Sequence, residues 1–144
     1  MEGDNKLRAT VVTGVIGEDV HVVGIRILEH ALREAGFTVV SLGTQVSQEE
    51  FINAAVEADA DAILVSSFSG HAESLAPQLR ERCTEAGLRD IILCIGGYLL
   101  IGERSWEDTE KAFKELGFDK VYPPGTPPTS VIRDLETDIP VRKR

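Results

Sequence analysis

The chain has 144 residues, the length of one ordinary domain, and 42% of them are hydrophobic, enough for a single well-filled core. A formal net charge of −9 and a sequence pI near 4.8 exclude nucleic acid and anionic membrane as partners, since both require a basic surface. No apolar run approaches the roughly 20 residues of a membrane span, and the polar start of the chain has no signal-peptide core.

Residues 1–8 read as a loose tail. Residues 10–16 are an apolar run, the mark of a strand buried on both faces. Gly17-Glu18-Asp19-Val20-His21-Val22-Val23-Gly24 comes next, then helical spacing of Ile25, Leu28, Ala31, Leu32 and Ala35, with Gly36 just past the helix end. An Asp and a His, two residues apart, therefore fall where a strand ends and a helix begins. In open α/β sheets, loops at that position form binding sites.

Residues 37–42 are a second short strand, closed by Gly43. Ser47-Gln48-Glu49-Glu50 is a capping box that opens a helix with Phe51, Ile52, Ala55 and Val56 on one face. Residues 61–67 are a third strand, apolar until its terminal hydroxyls, Ser66 and Ser67. A polar loop, Phe68-Ser69-Gly70-His71, precedes a helix carrying Leu75, Leu79, Cys83 and Ala86 and stopped by Gly87. Residues 91–95 are a fourth strand ending at Gly96-Gly97, followed by a mixed loop from Tyr98 to Arg104. Ser105 caps a helix with Trp106, Thr109, Phe113 and Leu116 on one face, ended by Gly117. Residues 120–122 are a short last strand. Pro123-Pro124-Gly125-Thr126-Pro127-Pro128 is a rigid turn, and a final helix holds Val131, Ile132 and Leu135 and reaches toward Ile139. The domain is expected over residues 9–137, with flexible tails at 1–8 and 138–144.

Five strands alternating with five helices predict a single α/β domain: a parallel, flavodoxin-like sheet in the order 2-1-3-4-5 with helices on both faces. The Asp19/His21 loop, the Ser66-Ser67-Phe68 segment, Gly96-Gly97 and Pro123-Pro124-Gly125 then all lie at strand C-termini, on one edge of the sheet. The first two flank the switch point between strands 1 and 3.

A histidine beside an aspartate can be a general base oriented by the carboxylate, a metal ligand whose other ring nitrogen the carboxylate holds, or a surface ion pair. A base needs a nucleophile, and Ser66 or Ser67 has the hydroxyl, but no nucleophile elbow surrounds either. A zinc site needs three or four ligands. The other histidines, His30 on the first helix and His71 in a loop, form no two-histidine helical motif. A single protein ligand to a metal held otherwise by a macrocycle fits these residues best. Gly24, Gly96 and Gly97, lacking Cβ, let backbone approach a large flat ligand or simply turn the chain. No Walker or GxGxxG spacing marks a phosphate loop. The cysteines, Cys83 and Cys94, have no metal-ligand spacing and read as small buried hydrophobes in a reducing, cytoplasmic compartment.

Asp19-x-His21-x-x-Gly24, Ser66-x-Phe68 and Gly96-Gly97 resemble the DxHxxG…SxL…GG signature of domains that bind cobalamin base-off. Residues 14–21, 47–55 and 117–126 are similar to the small subunits of glutamate mutases (methylaspartate mutases), and the likeness runs from about Val11 to Leu135. Fused acyl-CoA mutase domains more often read Asp-Gly-His-Asp-Arg-Gly at the first motif, where this chain has Val20, Val22 and Val23. Phe68 stands where the family usually has Leu, so a larger ring must find room.

The resemblance implies adenosylcobalamin as cofactor, with His21 as the lower axial cobalt ligand and Asp19 holding the other imidazole nitrogen. It implies a nucleotide tail in the slot between strands 1 and 3, with Ser66 bonded to its base. It places Glu18, Val20, Val22 and Gly24 of the first motif, Ser67 and Phe68 of the second, and Gly96, Gly97, Tyr98, Leu99, Leu100, Ile101 and Gly102 of the third at the cofactor. Tyr122, Pro123 and Gly125 join them. The implied activity is interconversion of L-glutamate and methylaspartate, with no catalytic residue on this chain beyond cofactor ligation. The amino-acid substrate would sit on a larger, barrel-type partner subunit. A cobalamin-binding subunit of another carbon-skeleton mutase stays open, and so do two other classes. One is a corrinoid carrier for methyl transfer, which usually has a helical bundle before the domain. The other is a signalling domain, which would need an acidic pair after strand 1 and an Asp at the end of strand 3.

Overall fold

The apolar run after Ala9 forms β1 (Thr10–Val15), buried from Val11 onward because both of its faces are covered. In the computed structural model, residues 9–16, 23–67, 78–97, 99 and 105–142 are described. The other elements are α1 (Val23–Glu34), β2 (Thr38–Ser41), α2 (Gln48–Ala58), β3 (Ala62–Ser67), α3 (Leu79–Glu85), β4 (Ile92–Gly97), α4 (Trp106–Glu115), β5 (Lys120–Tyr122) and α5 (Pro128–Arg142). All strand pairs are parallel and the order is β2-β1-β3-β4-β5, as the alternation of strands and helices predicts.

Strand alternation divides the core in two. Val12, Ile63, Val65, Leu93 and Ile95 face α2, α3 and α4, where they meet Phe51, Ala55, Leu79, Cys83 and Phe113. Val11, Ala62, Leu64, Ile92 and Cys94 face α1 and α5, against Leu32, Val131, Leu135 and Ile139. The rings of Phe113 and Phe118 meet edge to face at 6.1 Å. Both cysteines are buried and unpaired, as the sequence predicts.

Two devices hold the frame that presents the site. At the start of α2, the Ser47 hydroxyl accepts from the Glu50 N–H at 3.1 Å, and the Glu50 carboxylate accepts from the Ser47 N–H at 3.1 Å, completing the expected capping box. At the opposite edge of the sheet from the candidate loops, Arg80 of α3 donates to the carbonyls of Gly117 (3.0 Å) and Ile91 (2.7 Å) and to the Asp119 carboxylate (2.6 Å). Asp119 in turn accepts from the Leu93 N–H at 2.9 Å. This network pins the short β5 to β4.

Several boundaries differ from the sequence reading. Val56 stands beyond the buried stripe of Phe51, Ile52 and Ala55 and is 49% exposed. Gly96 and Gly97 do not follow β4 but are its last two residues, paired with Ser66 and Ser67 of β3. Residues 138–142 are not a tail: α5 continues through Pro140 to Arg142, and Ile139 is fully buried. The Pro140 ring removes one helical hydrogen bond, to the carbonyl of exposed Glu136, which water can satisfy, while Ile139 gains the core. Among the described residues no helix is long and apolar enough to cross a membrane.

Candidate functional site

The strand C-termini open into a cavity of about 310 Å³. Its floor is the end of β3 (Leu64, Val65, Ser66) and of β4 (Cys94, Ile95, Gly96, Gly97). One wall is the first turns of α1 (Gly24, Ile25, Ile27, Leu28). The other is Tyr122, the turn from Pro123 to Thr126, and the start of α5 with Pro128 and Val131. None of these lining residues is charged, and most are apolar. That is the character of a site for a flat organic group, with a few polar groups to orient it.

The glycines have separate reasons to be there. Gly97 has a φ of +107°, and a Cβ on it would lie 2.1 Å from the Ser67 carbonyl oxygen, so contact between strands requires it. A Cβ on Gly96 would come within 3.3 Å of the Tyr122 Cβ, pressing Tyr122 toward the cavity. Gly24 is exposed at the start of α1 and lines the cavity.

Ser66 shares a strand face with Ala62 and Leu64, so it looks toward α1 and α5, and it is 7% exposed. Its carbonyl accepts from the Ile16 N–H at 3.0 Å, and Val15 is its register partner on β1. Ile16 is the last described residue before the Asp19/His21 segment. The second motif is thus bonded, backbone to backbone, to the chain that leads into the first. Tyr122 closes the far side, its phenol donating to the Asp134 carboxylate of α5 at 2.7 Å. Burial raises the phenol's pKa well above its usual value, with Cys94 and the bond to Asp134 adding to the effect. The turn is held by Thr126, whose N–H (3.2 Å) and hydroxyl (2.7 Å) both donate to the Pro123 carbonyl, with Gly125 at a φ of +83°.

Of the residues expected at the cofactor, Gly24, Ser66, Gly96, Gly97, Tyr122, Pro123 and Gly125 line this one cavity. Ser67 and Leu99 do not. The Ser67 side chain projects to the opposite sheet face, fully buried and with no hydrogen-bond partner among the described residues, and Leu99 is part of the core against α2 and α4. Glu18, Asp19, Val20, His21, Val22, Phe68, Tyr98, Leu100, Ile101 and Gly102 lie outside the described residues, as does His71. His30 is on the surface, 3.0 Å from Glu34.

Sequence reasoning gave no place at the site to the apolar lining residues Ile25, Leu28, Pro124 and Val131, nor to Ile27, Glu29 and Asp134. Ile27 lines the cavity and is 57% exposed; its apolar side chain outside the buried stripe was the available signal. Glu29 is only 5% exposed and accepts a hydrogen bond from the buried Thr13 hydroxyl of β1, fixing how α1 sits on the sheet. Its spacing, four after Ile25 and three before Leu32, already puts it on the buried side of the helix. Asp134 carries no pattern that points to Tyr122.

A family model described as "B12 binding domain" matches residues 9–126. The glutamate mutase sigma subunit of Clostridium tetani is 50% identical over 135 residues, covering 94% of this chain and 98% of that one. Glutamate mutase sigma subunit 2 of Haloarcula marismortui is 53% identical over 135 residues, 94% of this chain and 90% of its own. Among solved structures, a cobalamin-binding protein from Desulfitobacterium hafniense matches in fold, with a TM-score of 0.74 at 20% identity over 90% of this chain and 58% of that chain. With the fold, the cavity at the C-termini of β3 and β4 and these matches together, the chain belongs to the B12-binding domain family and, within it, to the glutamate mutase sigma subunits.

Proposed function

We propose that this chain is the cobalamin-binding subunit of a glutamate mutase and holds adenosylcobalamin by its lower face, with the nucleotide tail in the cavity between α1, the sheet and α5. The observation that carries the proposal is identity of about half, over nearly the full length of both chains, to the Clostridium tetani sigma subunit. The cavity supports it independently. Its size suits an organic group of nucleotide dimensions, its walls are uncharged, and Ser66 offers a hydroxyl at the floor.

In this reading His21 would hold the cofactor's cobalt, and Asp19 would orient the His21 ring and raise its basicity. Ser66 bonds the tail's base. Ile25, Leu28, Pro123, Pro124 and Val131 exclude water from the tail, and the Tyr122 ring forms a side wall. When bound, the cofactor supplies the radical chemistry that interconverts L-glutamate and methylaspartate. A sigma subunit implies a larger catalytic partner. We assign to that partner, a barrel-type subunit, the amino-acid substrate, because the described residues that line the cavity offer no cation to clamp a dicarboxylate.

The test is the electron paramagnetic resonance of the Co(II) complex. The expected spectrum shows splitting from one imidazole nitrogen, changed when histidine carries the heavier nitrogen isotope and lost in His21→Gly. A spectrum indifferent to histidine labelling would rule out His21 as the ligand.

A further inference from the structure

The hydrogen bond from Tyr122 to Asp134 joins a cavity wall to a helix residue outside the cavity. Tyr122 ends β5 and lines the cavity, while Asp134 lies on α5, three residues after Val131, which lines it too. The phenol oxygen is 2.7 Å from the Asp134 carboxylate, so the hydroxyl is committed to α5 and the ring presents its carbon surface to the cavity. Beneath it, Gly96 leaves room for the Tyr122 Cβ to settle at 3.3 Å from where a Cβ of its own would be. The other lining hydroxyls are Ser66, on the floor, and Thr126, committed to the Pro123 carbonyl.

We propose that Asp134 is a positioning residue: it holds the Tyr122 ring back as the cavity's side wall, with the hydroxyl turned away, and thereby sets affinity for the cofactor's nucleotide tail. This rests on the reading of the cavity as the tail site. Without the carboxylate, the half-buried phenol loses its acceptor, and the ring has adjoining open volume into which it can turn. A phenol in that volume occupies space meant for a planar heteroaromatic base and must itself be desolvated again when the base arrives. With Asp134 in place the wall is a ring surface, which suits the edge or face of such a base.

The experiment titrates the full chain and its variants with methylcobalamin and with methylcobinamide, which has the same corrin but no nucleotide tail. The wild-type chain should bind methylcobalamin more tightly. Asp134→Leu should weaken methylcobalamin about tenfold, the scale of one unpaired buried polar group, and change methylcobinamide by less than about twofold. Asp134→Asn, whose amide oxygen still accepts from the phenol, should recover most of the loss. In a Tyr122→Phe background, Asp134→Leu should cost nothing further, because there is no phenol to release; mere damage to α5 would persist there. An Asp134→Leu defect that is equal for both ligands, or undiminished in the phenylalanine background, would overturn the proposal. Equal wild-type affinity for the two ligands would overturn the tail-site reading itself, and the proposal with it.

Discussion

Gly97 stands so close to Ser67 that the neighbouring strand's carbonyl oxygen occupies the space of its missing side chain: a Cβ there would be 2.1 Å away. This contact lies at the end of the β3–β4 pairing, and Gly97 is part of the cavity floor. Gly97→Ala must therefore separate the two strand ends as well as adopt a φ of +107°. The expected loss is about 3 kcal/mol or more in urea unfolding, with weakened cobalamin binding. Gly125→Ala is the control. Its φ of +83° is also left-handed, but nothing lies within 4 Å of its Cβ, so only the backbone cost of about 1–2 kcal/mol applies. Equal losses for the two variants would refute the steric account.

Glu29 and Thr13 are expected to behave as one unit. Thr13 is fully buried on β1, Glu29 nearly so on α1, and the hydroxyl donates to the carboxylate. Glu29→Ala strands the Thr13 hydroxyl and opens a hole, costing about 2–4 kcal/mol. Glu29→Gln keeps an acceptor and should cost clearly less. Thr13→Val should be non-additive with Glu29→Ala in a double-mutant cycle of unfolding free energies. Additive losses would mean that the pair is not coupled.

The cysteines carry a pH prediction. Burial pushes the Cys83 thiol up from 9.0 to about 11, against the opposing Arg80 charge. Burial pushes Cys94 higher still, and the Asp119, Asp138 and Asp134 carboxylates add to it. The folded chain thus keeps thiol protons that the unfolded chain releases. These groups contribute stability fully present below about pH 9 and lost as pH rises toward 11 and beyond. Urea midpoints should fall across that window, and less so in Cys83→Ala. Both thiols should resist alkylation at neutral pH until the chain unfolds. A stability profile flat from pH 8 to 11 would contradict the assignment.

The alternation of strands and helices could be read in the residues because β1 to β4 are short apolar runs closed by a glycine or a hydroxyl, and most helices have a period and a start or stop signal. The Ser47–Glu50 box is local chemistry and formed as written. What escaped depends on contacts between distant residues. Nothing near position 134 announces a tyrosine twelve residues earlier in the chain, at the end of β5. Glu29 reads as a surface charge unless its helical phase is compared with Ile25 and Leu32. Gly96 and Gly97 read as a turn because glycine usually makes one, yet here the neighbouring backbone and Tyr122 require them inside a strand. Residues 138–142 read as part of a tail, but the burial of Ile139 carries α5 through Pro140 to Arg142.

The last prediction concerns what the chain cannot do by itself. A glutamate-binding site needs cations to pair with two carboxylates, yet among the described residues that line the cavity there is no Lys or Arg. In the proposed reading the cavity is filled by the tail, and its walls would serve only the lower side of the cofactor. Radical chemistry on the upper side needs a closed chamber that keeps water out, and no wall for one rises from the described residues of this edge. The chain with adenosylcobalamin and glutamate should therefore form no methylaspartate until the larger subunit is added. Since the cofactor would touch both subunits, linkage requires it to tighten their association, and raising adenosylcobalamin should lower the subunit concentration needed for half-maximal rate. The measurement is methylaspartate formation at fixed larger subunit, titrating this chain at several cofactor concentrations. Turnover by the isolated chain would overturn the division of labour, and a half-maximal concentration independent of cofactor would show that adenosylcobalamin does not bridge the two.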